Sequence, residues 1–540
     1  MTNTIQPHEL KARLTSSDEI ALVDVREQGV FAQEHLLLAS SISLSHIETM
    51  LADRIPRLNT PIVVCDGGPI DKEGLARRAA SKLHELGYTD VTILAGGVSS
   101  WRDAGLEVFS GVNVPSKAFG EFVERHYQTP HISAQELHQR QHNGDDLVVV
   151  DARPFTEYQR MCIPKGIDVP GAELVYRIHD IAPRPQTDIV VNCAGRTRSI
   201  IGTQSLINAG ISNRVMALKN GTMGWQLSGY ELESQADRVA AEPSNQGLLL
   251  AQQAAARVAK RSNIRHISHD KLAAWQDDRT RTLYLLDVRS PEEFEAGHLP
   301  GSRHAPGGQL VQATDEYVAV RGARVVLVDD QLVRAVMTAS WLLQMGWPAV
   351  YVLDSPFDGD TLETGPHRPR ILGFEEAETL SAYELKAALD SRESVAVMDL
   401  GNSLQYRRNH IAGAFWAVRS RLDADLTLMP PVGLLVLTSN DDVVAHLAAK
   451  DLTQTRPNQL VRVLAGGNHA WFDAGFPKAS GMQQRIASSP DVNPDENDMW
   501  YKPYDYSEDS DRRMQQYLDW EIALVDKIER DGTLQFRCFE

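Results

Sequence analysis

Val148-Val149-Val150-Asp151 is the stretch that decides the fold. Three consecutive β-branched apolar residues make a short strand that is apolar on both faces, and the strand stops at a carboxylate. The pattern returns as Ala21-Leu22-Val23-Asp24, Tyr284-Leu285-Leu286-Asp287 and Ala396-Val397-Met398-Asp399. Seven residues after each Asp stands an aromatic: Phe31, Tyr158, Phe294 and Tyr406. Eleven residues after it stand His35, Cys162, His298 and His410, so one copy holds Cys where three hold His. Upstream, a helix start with a Leu precedes each strand, at Leu10, Leu137, Leu272 and Leu385. Ser133, Ser268 and Ser381 are candidate N-caps for the last three of these helices.

Downstream, each copy carries a second apolar strand: Ile62-Val63-Val64, Ile189-Val190-Val191, Val325-Val326-Leu327-Val328 and Leu434-Leu435-Val436-Leu437. A helical stretch and a third strand follow. A Gly-rich turn with a Trp closes three copies, at Trp101, Trp225 and Trp471. Doubly apolar strands alternating with helices predict an α/β chain, each copy a small parallel sheet flanked by helices. The expected domains are 1–112, 128–236, 263–356 and 375–480, with a helical linker over 237–262 and a C-terminal tail over 481–540. The tail aromatics Trp500, Tyr501, Tyr504 and Tyr506 predict that it docks onto the domains.

At ~150 residues per domain, 540 residues allow three or four domains, and the repeat selects four. A net charge of −18 excludes a nucleic-acid groove or an anionic membrane surface as the main partner. The four cysteines, Cys65, Cys162, Cys193 and Cys538, form no CxxC, which argues against a disulfide scaffold or a structural zinc. No metal or cofactor is expected. Met1 to Leu10 has no apolar signal-peptide core, so a reducing cytoplasm is the expected compartment, with any important cysteine a reactive thiol.

The crevice of such a domain lies at the carboxyl ends of its strands. In the second copy that point reads Asn192-Cys193-Ala194-Gly195-Arg196-Thr197-Arg198-Ser199, and a helix follows. Gly195 permits a tight turn with converging N–H groups, and the helix N-terminus adds partial positive charge. Arg196 and Arg198 add full charges. Together they favour the Cys193 thiolate and cradle an anion beside it. The expected cradle is Ala194, Gly195, Arg196, Thr197, Arg198 and Ser199 around a nucleophilic Cys193. Asp151 and Arg153 are expected to brace the strand end by ion pairing.

This loop resembles that of the rhodanese (sulfurtransferase) family, as do Asp151-Ala152-Arg153, Glu157-Tyr158, Ile163-Pro164-Lys165-Gly166 and the Gly221 to Trp225 turn. The other copies match in scaffold, as in Asp287-Val288-Arg289 and His410-Ile411-Ala412-Gly413, so the chain resembles four tandem rhodanese-like domains. The resemblance implies that Cys193 takes sulfane sulfur from a small anionic donor, thiosulfate first, and passes it as a persulfide to a thiol or cyanide acceptor. Cys193 to Arg198 is Cys-x4-Arg, as in sulfurtransferases. The related phosphatases and arsenate reductases use a loop one residue longer, which makes them the weaker alternative. A scaffold protein that docks partners of sulfur metabolism is the other.

Cys65 stands at a corresponding strand end in the first copy, followed by Asp66, Asp71 and Glu73 with only Lys72 to offset them. It reads first as an inert structural thiol and second as a secondary persulfide carrier. Cys162 reads first as a buried structural thiol and second as a resolving thiol for the same domain. Cys538 is read as incidental. The third copy (Asp329-Asp330) and the fourth (Thr438-Ser439) lack the cysteine and are expected to be inactive. The recurring histidines are expected to be structural.

Overall fold

The computed structural model of the chain describes residues 3–70, 74–357, 361–391, 394–482, 484, 498–506 and 508–539. Asp71, Lys72 and Glu73 of the first loop, and most of 481–497 in the expected tail, lie outside the described residues. Each copy builds one sheet with the same strand order. In the second copy the order runs His131–Ile132, Val215–Leu218, Asp188–Asn192, Leu147–Asp151, Ile167–Asp168, all parallel. The fourth sheet repeats this with Thr379–Leu380, Leu460–Leu464, Leu434–Thr438, Val395–Asp399 and Phe415–Trp416. The first sheet gains a further strand from outside: Val320–Arg321 of the third copy pairs antiparallel with Ile20 and Ala21.

Local chemistry explains the elements. The hydroxyls of Ser133, Ser268 and Ser381 each accept the N–H three residues on and cap their helices. In the first copy Pro7 opens the helix and Gln6 makes no side-chain cap. The recurring histidines each stack on the aromatic four residues earlier, at ring separations of 3.8 to 3.9 Å. Each also places Nδ1 on that residue's carbonyl, at 3.0 Å for His35 and 2.8 Å for His298. Burial pushes His35 down to about 3, so it is a neutral packing group. In the second copy Cys162 takes this place beside Tyr158, and burial with Glu233 pushes its thiol up to about 11.

Asp151 accepts the Arg153 guanidinium on both oxygens at 2.8 Å, and Asp24–Arg26 and Asp287–Arg289 repeat the pair. Gly401 stands at the Arg place of the fourth copy, where Asp399 accepts the Gly401 N–H and the Asn468 amide instead. These buried pairs tie each central strand to the loop after it.

Two helices join the domains. Asn245–Arg261, capped by Ser244, lies in the expected linker and packs against Glu173–Ile181 and Val333–Gln344. Val114–Tyr127 bridges the first and second domains and packs on the helix Thr197–Asn208. The described part of the tail ends in the helices Ser510–Ile522 and Leu524–Asp531. Met514 and Leu518 of the first bury against Ala194 and Met223, which brings the tail onto the Cys193 loop.

Candidate active site

Strand Asp188–Asn192 runs out one residue before Cys193, and helix Thr197–Asn208 starts four residues after it. The turn is fixed on both sides. The Asn192 amide donates to Asp151 at 2.8 Å, and the Cys193 carbonyl accepts the Thr222 N–H at 2.9 Å. The Cys193 thiol is 2% exposed and donates to Ser199 Oγ at 3.5 Å, while the Ser199 hydroxyl donates to the Arg196 carbonyl at 2.8 Å. Its opening faces a cavity of about 300 Å³ walled by residues 193–198, the tail, the bridging helix and the third domain.

The two arginines of the loop line this cavity with their charges already matched. Arg196 binds Glu121 on both oxygens, at 2.6 and 2.8 Å, and also Glu124. Arg198 binds Glu157 at 2.9 Å and Gln309 of the third domain at 3.2 Å. Burial pushes the Glu157 carboxyl up, but Arg198 and Lys502 outweigh it and hold the group well below the carboxylate range. Thr197 donates its hydroxyl to Glu521 of the tail.

Reading the loop alone missed the rest of this wall: Lys117, Lys502, Tyr504, Tyr517 and Glu521. Lys117 comes from the bridging helix and the other four from the tail. The tail aromatics carried the one usable signal. Nothing near Lys117 in the chain marks it, because its neighbours at the site are distant in sequence.

Strand register aligns the four loops. Asp151 pairs with Asn192, Asp24 with Cys65, Asp287 with Val328 and Asp399 with Thr438. The positions matching Cys193 are therefore Asp66, Asp329 and Ser439. The carbonyls of Asp66 and Ser439 accept the turn N–H groups of Val98 and Asn468 just as Cys193 accepts that of Thr222. Cys65 thus sits one place too early to be the counterpart of Cys193. A one-residue offset in a strand turns the side chain to the other face of the sheet. There burial, Asp24 and Asp66 hold its thiol well above the ordinary range.

In the other loops the chain's own side chain occupies the cradle. The Asp66 carboxylate accepts the N–H groups of Gly68 and Ala76, both at 2.9 Å. Asp329 accepts those of Arg334 at 2.7 Å and Ala335 at 3.2 Å. Ser439 Oγ takes the Ala445 N–H at 3.4 Å. Cys162 does not line the Cys193 cavity; it packs with Tyr158 and Ala236, its backbone paired to Glu233. Cys538, half-buried near the end of the chain, is also apart from the site.

The family description "Rhodanese-like domain" matches residues 6–104, 133–228 and 268–359, more than half of the chain. The chain belongs to the rhodanese family. Its fourth domain lies outside that match yet keeps the rhodanese strand order. Among solved structures, the thiosulfate sulfurtransferase of Pseudomonas aeruginosa is 46% identical, with a TM-score of 0.94 and coverage of 100% of both chains. Curated relatives match single domains. A sulfurtransferase of Allochromatium vinosum is 27% identical over 108 residues, which is 20% of this chain and 95% of that protein. An HTH-type transcriptional regulator of Mycobacterium tuberculosis is 31% identical over 102 residues, 19% of this chain. The chain spans 44% of that regulator's length.

Proposed function

We propose that this rhodanese is a sulfurtransferase with a single reactive centre at Cys193. The observation that carries the reading is the register: of the four aligned positions, one holds a thiol, at the mouth of a cavity and at the start of a helix. The Cys193 thiolate attacks the outer sulfur of thiosulfate. The S–S bond of the donor breaks, and its electron pair leaves with sulfite. The outer sulfur of the resulting persulfide is then attacked by an acceptor thiolate, which carries it away and returns the Cys193 thiolate. Helix N–H groups left over at Arg198 and Ser199 stabilise the sulfur anion. The Cys-x4-Arg loop supports sulfur transfer over the phosphatase alternative. Four free cysteines support a cytoplasmic setting, and no described helix is long and apolar enough to cross a membrane.

Intact-protein mass spectrometry after incubation with thiosulfate tests this. The expected result is a gain of one sulfur atom at Cys193, absent from Cys193→Ala. No gain from any donor, with stable capture of a partner protein, would replace the transferase with a scaffold.

A further inference from the structure

We infer that Lys117, on the helix bridging the first two domains, is the charge that selects anionic donors at Cys193. The inference rests on the sulfurtransferase reading and names a residue outside the catalytic loop. Lys117 is 9% exposed and lines the Cys193 cavity. Among the described residues its ammonium has no carboxylate within ion-pair distance and no hydrogen-bond acceptor; its contact is the Tyr517 ring, 5.4 Å from nitrogen to centroid. The charges it feels are those of the site: Glu521, Arg198, Cys193 and Glu157. Burying an ammonium without a partner is costly, and burial accordingly lowers its pKa.

The other cations of the cavity are occupied. Arg196 is held by Glu121 and Glu124, and Arg198 by Glu157. Lys502 sits 3.3 Å from the same Glu157 and its side chain is 38% exposed. Lys117 is the enclosed cation of the cavity held by no direct ion pair among the described residues; the Glu521 carboxylate, buried in the same wall, acts on it from beyond ion-pair distance. A compact oxyanion such as the sulfonate end of thiosulfate would find in Lys117 a donor free of a direct ion pair, since an ammonium offers three donors around a point charge.

Alkylation of Cys193 in the full chain separates charge selection from thiol reactivity. Iodoacetate and iodoacetamide both lose iodide to the thiolate and differ in one negative charge. Lys117→Gln is expected to slow iodoacetate about 30-fold while iodoacetamide stays within about twofold of wild type. Lys117→Arg, which keeps the charge, should recover most of the iodoacetate rate. With thiosulfate, Lys117→Gln should raise KM by a similar factor with little change in kcat. Equal slowing of both reagents, or of neither, overturns the inference. Alkylation requires no sulfur transfer. A wild-type chain that takes no sulfur but keeps the iodoacetate preference therefore refutes the transferase reading and supports the role of Lys117.

Discussion

The loops after the central strands of the second and third domains have the same length and opposite contents. Cys193 and Asp329 occupy one register position, and Arg198 and Arg334 follow each at the same interval. Each arginine reaches the matching glutamate, Glu157 or Glu293. In the second domain a thiol stands before the helix start and lines a cavity. In the third the helix N–H groups face Asp329, and Arg334 closes over it with Asp330 and Glu173 as further partners. An anion cradle filled by its own carboxylate has no room for a substrate. The same cradle is therefore open beside a thiol in one domain and closed as an internal brace in the other.

The largest test of that contrast exchanges its key residues. Cys193→Ala is expected to lower thiosulfate-dependent sulfur transfer by at least about a thousandfold, because the nucleophile is gone. Asp329→Ala and Cys65→Ala should each stay within about twofold in the same assay, since neither touches the reacting sulfur. A large loss from either would break the comparison.

The second test is stability. Arg334 is fully buried and serves four carboxylates. Arg334→Met should destabilise the fold by about 3–5 kcal/mol, because it strands buried acids. Arg198→Met should cost less, because Glu157 keeps Lys502. Thermal melting of both variants reads the difference, and equal shifts would show that the third loop is no brace.

The smallest effect concerns the edge strands, where Asp168 of the second domain and His304 of the third hold one register position. Burial beside Asp151 pushes Asp168 up to about 8. The folded state then holds a proton that the unfolded state releases near the ordinary carboxyl value, so this contribution to stability is lost as pH rises from about 4 to about 8. Asp168→Asn should flatten the fall in melting temperature between pH 5 and 8. Burial shifts His304 the other way, down from 6.5, so its contribution is lost as pH falls below that value. His304→Asn should flatten only the acid side.

The four-domain plan was legible because each copy repeats a local pattern: strand, Asp, aromatic and cap lie within a few turns of one another. Cys193 was legible for the same reason, since its loop is contiguous. Cys65 resembles Cys193 in residue type but not in register: the interval from Asp24 to Cys65 equals that from Asp151 to Asn192, which points to Asp66 as the matching position. Lys117 and Glu521 left no trace in the local pattern. They meet the loop through tertiary packing, and Glu521 lies 324 residues from Thr197. The partners of Arg196 were hidden likewise, because Glu121 belongs to a helix that becomes its neighbour only once the domains pack.

The same separation has a consequence for biosynthesis. Translation delivers the thiol loop early and its cover last, so throughout those 324 residues the nascent polypeptide carries Cys193 without the helix that roofs it. A chain that stops before that helix keeps the Cys193 thiol and lacks the tail side chains that pack over its loop.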